Sequence, residues 1–376
     1  MSDEIPSRLE AVETPALLVD LDRLEANLDR AADYAARHGL ALRPHVKTHK
    51  SSFVAAAQLR RGARGLTCAT PREAEVMAEE CDDVLVAYPP IASPRARRLT
   101  ALPAAVRLTV ALDSEHAATE LARAARDARR EVGVYVELDL GMHRVGVTSV
   151  DAAVALARYV SEIDGLRFDG LAFYPGHIRE AMRDQDAKLE ALEHTLARAM
   201  ERFHDAGLPP RVVSGGSTPT MWRTHEMPSV TEMRPGTYVY NDRTTVTTGA
   251  CTPGDCALTV LATVVSTSVS GQAVIDAGTK ALGREPLRGP GEGFGQLLEH
   301  PDVIVERMSE EHGVLDFGQS AWRPNVGDVV QVVPNHVCVA VHLHDYVYGV
   351  RGGHLERGWP IEARGRGRSP GEDLEK

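Results

Sequence analysis

The chain has 376 residues, 43% hydrophobic, 25% charged and 5% aromatic, proportions that leave out disordered, collagenous and disulfide-scaffold classes. Its 42 Lys and Arg against 53 Asp and Glu give a formal charge of −11, which argues against nucleic acid because phosphate binding needs a basic surface. No apolar run reaches the roughly 18–20 residues that span a bilayer, and the start MSDEIPSRLE lacks the apolar stretch of a signal peptide. Five scattered cysteines suit reduced thiols, so a soluble cytoplasmic protein is expected.

The first helix is expected after LLVDLD, with Leu24, Leu28, Ala31 and Ala35 at helical spacing, Asp22 and Glu25 as a capping box, and Gly39 as the stop. Short strand-like runs follow at 41–47, 66–70, 83–88, 106–113, 132–139, 168–174, 211–216 and 230–236. Helical segments separate most of them, and the clearest carries Leu189, Leu192, Leu196, Met200 and Phe203 on one face. Eight strands with helical crossovers over about 200 residues is the count of a (β/α)8 TIM-type barrel, with a doubly wound open sheet as the competing arrangement. From about residue 245 the texture turns β-branched, in ALTVLATVVSTSVSGQAVID and GDVVQVVPNHVCVAVHL, which predicts a β-domain. A Gly/Pro-rich surface loop is expected between them. The expected divisions are a barrel over 14–245, a C-terminal β-domain over 246–362 and a disordered tail over 363–376.

Reactive groups in a parallel barrel come from the C-terminal ends of the strands. The first strand ends in RPHVKTHK, where Lys47 can be desolvated enough for imine chemistry; a solvated basic turn is the plain alternative. The fifth ends in DLGMHRVG, where Arg144 can hold an oxyanion, and the sixth in Tyr174-Pro175-Gly176-His177, an aromatic face beside an imidazole. The seventh gives Ser214, Gly215, Gly216, Ser217 and Thr218, a glycine turn with hydroxyls that suits a phosphate monoester, or else a simple helix cap.

The late segment from His336 to Asp345 reads as a strand. His336, Cys338, His342 and His344 then share a face, with Val337, Val339, Val341 and Leu343 on the other. His336 and Cys338 would stand about 6.6 Å apart and bind one ion, with His344 about 20 Å or more from His336 and out of reach. Imidazole plus thiolate favours zinc. Cys251 and Cys256 flank a TPGD turn and read as two ordinary turn cysteines, with a redox pair as the sharper alternative.

Together, RPHVKTHK around Lys47 and PNHVC around His336 and Cys338 resemble the D-serine dehydratase and D-threonine aldolase family, of the alanine-racemase-like, fold type III enzymes. The resemblance runs from ETPA (13–16) through EMRPGTY (232–238) and DAG (276–278) to the metal motif. It implies a barrel holding pyridoxal 5'-phosphate, a C-terminal β-domain and a homodimer acting on a small D-amino acid. By motif position, Lys47 is the imine-forming lysine, Arg144 lies beside the cofactor's phenolic oxygen, Tyr174 is the active-site tyrosine and Gly215–Thr218 is the phosphate cup. His336 and Cys338 match the metal ligands, for Zn2+ with Mn2+ as the alternative, and His177 is a candidate base. The family's second ligand is commonly cysteine in the dehydratases and aspartate in the aldolases. Cys338 therefore points to a D-serine dehydratase-like lyase giving a 2-oxo acid and ammonia, with retro-aldol cleavage as the alternative. An amino-acid racemase and a cofactor-binding homeostasis protein are the remaining readings. This chain departs from the family after Cys338, with VAVHLHD in place of PTVNL, and at the YPGH turn.

Overall fold

The computed structural model describes residues 9–91, 93–289 and 291–365. They form two compact units, one of residues 9–31, 179–182 and 237–362, the other of 32–178, 183–236 and 363–365. Strand β1 (Ala16–Asp20) and helix α1 (Leu21–Arg37) open the chain. Leu24, Leu28, Ala31 and Ala35 are buried, and the chain leaves the helix through Gly39 at φ +66°. The helix starts two residues earlier than the capping box required. Asp20, not Asp22, accepts the Arg23 N–H at 3.0 Å, while Asp22 and Glu25 pair with Arg351.

The second unit holds all eight expected strands: β2 (Ala41–Leu42), β3 (Leu66–Cys68), β4 (Asp83–Val86), β5 (Arg107–Leu112), β6 (Val132–Leu138), β7 (Leu166–Phe173), β8 (Val212–Gly215) and β9 (Glu232–Met233). They are parallel, in the order β2-β9-β8-β7-β6-β5-β4-β3, and a bridge between His45 and Thr67 joins the two end strands. The crossovers are α2 (Ser52–Arg60), α3 (Pro71–Met77), α4 (Ser93–Thr100), α5 (Glu115–Asp127), α6 (Val150–Glu162) and α7 (Asp186–Asp205). Ser51, Thr70, Ser114 and Ser149 each accept a first-turn N–H, the reason these helices begin where they do. Strand β6 shows why the runs are almost wholly apolar: Val132, Val134, Val136 and Leu138 pack with the helices, while Tyr135 joins Leu85, Ala111, Ala172 and Val212 in a separate inner cluster.

That inner space is polar as well as apolar. Arg43 is 2% exposed; its Nε donates to Glu232 at 2.8 Å and its two Nη groups donate to Asp83 at 2.8 and 3.1 Å. Burial would lower its pKa, but Glu232 and Asp83 outweigh that and hold it above the ordinary value. Glu232 also accepts the Ser214 hydroxyl at 2.6 Å. Arg234 donates to Ser214 Oγ at 2.6 Å and to the Phe173 carbonyl at 3.0 Å.

The other unit is built from β1 and β10 (Leu258–Ser266), β11 (Gln272–Ile275), β12 (Gly295–Leu297), β13 (Ile304–Met308), β14 (Gly313–Asp316), β15 (Val329–Pro334), β16 (Tyr346–Arg351) and β17 (His354–Pro360). Their order is β11-β14-β13-β12-β15-β10-β1-β16-β17, and β11 pairs with β10 as well, closing six strands on themselves. Short helices α8 (Arg243–Thr247) and α9 (Thr279–Leu282) lie between strands, α9 opening the segment expected as a surface loop.

One expected strand is a helix. After β15 ends at Pro334, α10 (Val337–Leu343) follows. Val337, Ala340 and Val341 are its buried residues, a 3.6-residue period concealed by the β-branched composition. The alternation proposed for His336, Cys338, His342 and His344 therefore does not exist, nor do the strand spacings derived from it. Of the expected tail, Ala363 is buried and donates to the Lys50 carbonyl at 3.0 Å; residues from 366 onward lie outside the described residues. No helix of the described residues is long and apolar enough to cross a membrane.

Removing one member of a buried ion network leaves its partner's charge uncompensated. Glu232→Leu should cost about 3 kcal/mol in urea unfolding, and adding Arg43→Met should recover part of that loss. A single-variant loss under about 0.5 kcal/mol would show that the network contributes little.

Candidate active site

The turn carrying Lys47 follows directly from β2 and is fixed on several sides. Val46 N–H donates to the Thr67 carbonyl at 2.9 Å and His45 N–H to the Pro235 carbonyl at 3.0 Å. Gly236 has to be glycine here, since a Cβ would stand 2.8 Å from Thr48 Oγ1 and 3.0 Å from the His45 carbonyl. Downstream, Lys50 adopts φ +51° and forms a buried ion pair with Glu73. Lys47 N–H donates to His45 Nδ1 at 3.4 Å. Burial first, then the charges of Lys47 and Arg234, pull His45 well below the usual imidazole pKa, so it stands neutral beside the lysine.

Lys47, Arg144 and Tyr174 come together. Lys47 Nζ lies 5.6 Å from the centroid of the Tyr174 ring, and the Arg144 guanidinium carbon lies 4.9 Å from it. Arg144 sits on a loop organised by Asp139, which accepts the Gly141 and His143 N–H groups at 3.0 Å each and contacts His143 Nδ1 at 3.1 Å. Burial raises the Asp139 pKa, but those hydrogen bonds outweigh it and hold the carboxyl below its ordinary value. His177 lies against the same loop: a Cβ added at Gly141, where φ is +118°, would stand 3.0 Å from His177 Nε2. The ends of β6 and β7 thus place His177 close to the loop that bears Arg144.

The glycine turn after β8 is shared between two tasks. Ser214 faces inward to Glu232 and Arg234, so its hydroxyl serves the barrel interior and not the turn. Gly216 turns the chain at φ +92°, and a 3-10 helix runs from Thr218 to Glu226. Ser217 N–H donates to Thr220 Oγ1 at 3.3 Å. Pyridoxal phosphate calls for an amine on a barrel strand end, an aromatic and cationic wall beside it, and a glycine turn opening a helix for its phosphate. Lys47, Tyr174 with Arg144, and Gly215–Thr218 are residues of the kind that could supply these donors.

The metal-ligand candidates belong to the other unit. His336 precedes α10, Cys338 is its second residue, and the two side chains hydrogen-bond to one another. Buried Asp242 fixes the imidazole: its Oδ2 lies 3.0 Å from His336 Nδ1 and accepts the Val337 N–H at 3.1 Å. That contact leaves Nε2 as the nitrogen available to an ion. Thr237 Oγ1 lies 3.8 Å from the Cys338 sulfur. Burial pulls the His336 pKa down, but Cys338 and Asp242 outweigh it and hold it well above the usual value. Among the described residues no group of three or more His, Cys, Asp or Glu gathers to hold an ion. The nitrogen and sulfur donors fit a borderline-soft divalent cation with positions left for water or substrate.

Asp242 and Thr237 were not among the residues read from the sequence. Thr237 lies inside the EMRPGTY motif, but Asp242 is 94 residues from the histidine it holds, and no spacing rule connects them.

Comparison with known proteins adds a second line. Residues 19–244 match the family "Alanine racemase, N-terminal domain" and residues 257–350 the family "Putative serine dehydratase domain". The chain is 33% identical over 368 residues to 3-hydroxy-D-aspartate aldolase of Paracoccus denitrificans (strain Pd 1222), covering 95% of this chain and 93% of the relative. It is 35% identical over 352 residues to D-threo-3-hydroxyaspartate dehydratase of Delftia sp. (strain HT23), covering 87% and 91%. The crystal structure of D-threonine aldolase from Filomicrobium marinum superposes with a TM-score of 0.89 at 32% identity, over 97% of this chain and 99% of that one.

Asp242→Asn removes the charge that orients His336 while keeping the side chain's shape. Zinc affinity, measured by competition with a chromophoric chelator, should fall about 10–100-fold. Unchanged affinity would mean that His336 needs no such partner.

Proposed function

The chain belongs to the D-serine dehydratase/D-threonine aldolase family of alanine-racemase-like enzymes, and within it we propose a metal-assisted lyase that dehydrates 3-hydroxy-D-amino acids. The products are a 2-oxo acid and ammonia. The observation carrying this reading is the His336–Cys338 pair, with thiolate as the second ligand, oriented by Asp242. The naming of a Delftia relative as a dehydratase supports it.

Pyridoxal phosphate, when bound, supplies a carbonyl for the substrate amine and an electron sink for the pair left at Cα. A divalent ion on His336 and Cys338, zinc by ligand softness or else manganese, supplies Lewis acidity to a departing β-oxygen. Lys47 would hold the cofactor, and its free Nζ would take the Cα proton of the substrate. The Cα–H pair becomes a Cα=Cβ bond as the Cβ–O bond breaks and hydroxide leaves. The enamine released tautomerises and hydrolyses to the 2-oxo acid and ammonia. Arg144 and Tyr174 form the wall beside Lys47, and Gly215–Thr218 receive the phosphate. The family resemblance extends the proposal to a homodimer working in the cytoplasm.

A second reading is favoured by the position of His177 against the Gly141 loop. An imidazole there would take the β-hydroxyl proton, the Cα–Cβ bond would break, and glycine and an aldehyde would form. Aldolase names among the relatives support this route.

D-threonine separates the two routes, because either one consumes it. Protein supplied with pyridoxal phosphate and zinc should yield 2-oxobutyrate and ammonia; glycine with acetaldehyde would overturn the dehydratase reading in favour of the aldolase. Lys47→Ala should lose both turnover and the imine absorption band. Retention of either would remove Lys47 from its assigned role.

A further inference from the structure

A cavity of about 390 Å³ lies within the unit built from β10 to β17. Its walls are mostly aliphatic, with Val246, Leu287, Leu297, Leu298 and Val333 around the side chain of Arg243. Arg243 is only 8% exposed. Its Nη1 donates to Asn335 Oδ1 at 2.7 Å, and Asn335 is itself fixed by donating to the carbonyls of Glu285 at 3.0 Å and Gly293 at 2.8 Å.

This guanidinium differs from the buried one in the barrel. Arg43 is matched by two carboxylates, whereas among the described residues none pairs with Arg243. Among the described residues its five N–H donors have one neutral oxygen between them. Burial pulls the Arg243 pKa below its ordinary value, and no anion among the described residues opposes it. A buried cation without a counter-charge is costly, and a bound anion is the direct remedy. The other polar groups of the wall are already engaged. The Thr247 hydroxyl lies 2.9 Å from both the Thr244 and Arg288 carbonyls, the Gln296 amide donates to the Pro301 carbonyl, and the Cys256 thiol contacts Cys251.

We infer that this cavity is a binding site for a small aliphatic monocarboxylate, with the carboxylate on Arg243 and the hydrocarbon tail against the leucine and valine walls. A carboxylate accepts two parallel N–H bonds from a guanidinium, which suits the donors Asn335 leaves unused. A phosphate monoester would bring a second charge and a third acceptor oxygen that the walls cannot match. The volume lies near the small end of ligand cavities, roughly 300–1,000 Å³, which suits a tail of about four to six carbons. The site stands apart from the reaction proposed above, since neither Lys47 nor the His336–Cys338 pair lines it.

The test uses the full chain loaded with pyridoxal phosphate and zinc, with 3-methylbutanoate as the probe, followed by calorimetry and ligand-observed NMR. Saturable binding is expected, weakened about tenfold or more when the neutral 3-methylbutanamide replaces the acid. Arg243→Met, which removes the charge, and Leu298→Trp, which fills the cavity, should each weaken it to a similar extent. Leu298→Trp keeps the test informative should Arg243→Met fail to fold. Equal binding of acid and amide, undiminished binding in both variants, or no saturation by roughly 20 mM would each overturn the site. So would tighter binding of inorganic phosphate than of the acid. Binding seen only after dilution to a monomer would also overturn it, because a second copy would then occupy the cavity.

Discussion

One buried guanidinium sits where the barrel closes. Strand β2 pairs with β9 through two residues only, and the opposite end of the sheet is joined by the single His45–Thr67 bridge. Arg43 stands between these two contacts and ties β2 to Glu232 on β9 and Asp83 on β4. In a low-dielectric interior such a network is stabilising only when every charge has a partner, and here the carboxylates and the Ser214 hydroxyl supply them. Lys47 follows four residues later. The contacts that close the barrel also hold the turn that bears the amine.

The same device recurs at smaller scale. Glu73 holds Lys50 just past the lysine turn, Asp139 organises the loop bearing Arg144, and Asp242 sets the tautomer and direction of His336. In each case a carboxylate, shielded from water, fixes a neighbouring group before any ligand arrives. Pre-organisation of this kind keeps reacting groups from losing orientation entropy at the moment of reaction.

How much of this could be read from the sequence follows from the range of the interactions. All eight barrel strands were legible because parallel strands covered on both sides are nearly continuous apolar runs, separated by capped helices. Lys47 and the His336–Cys338 pair could be singled out as candidates because each motif is contiguous. Ser214 was assigned to the glycine turn, yet Val212 packs inward, and strand alternation puts Ser214 on that same face. The helix after Pro334 was misread because valines suggest a strand, while the spacing of Val337, Ala340 and Val341 carried the helical period. Asp242 and Arg43's acceptors were invisible: their partners lie 40 to 189 residues away, and only the folded chain brings them together.

Strand β1 has a consequence for how the protein is made. It lies between β10, antiparallel, and β16, parallel, so Leu17 pairs with Val260 on one side and with Val347 on the other. Strand β1 therefore waits for β16, far later in the chain, before its hydrogen bonds are complete. Residues 32–178 and 183–236 need no such delay, since every strand of their sheet is already in hand by residue 233. Translation thus favours a barrel that assembles while the chain is still emerging and a β-unit that closes only afterwards, with an aliphatic N-terminal strand exposed to chaperones in the interval.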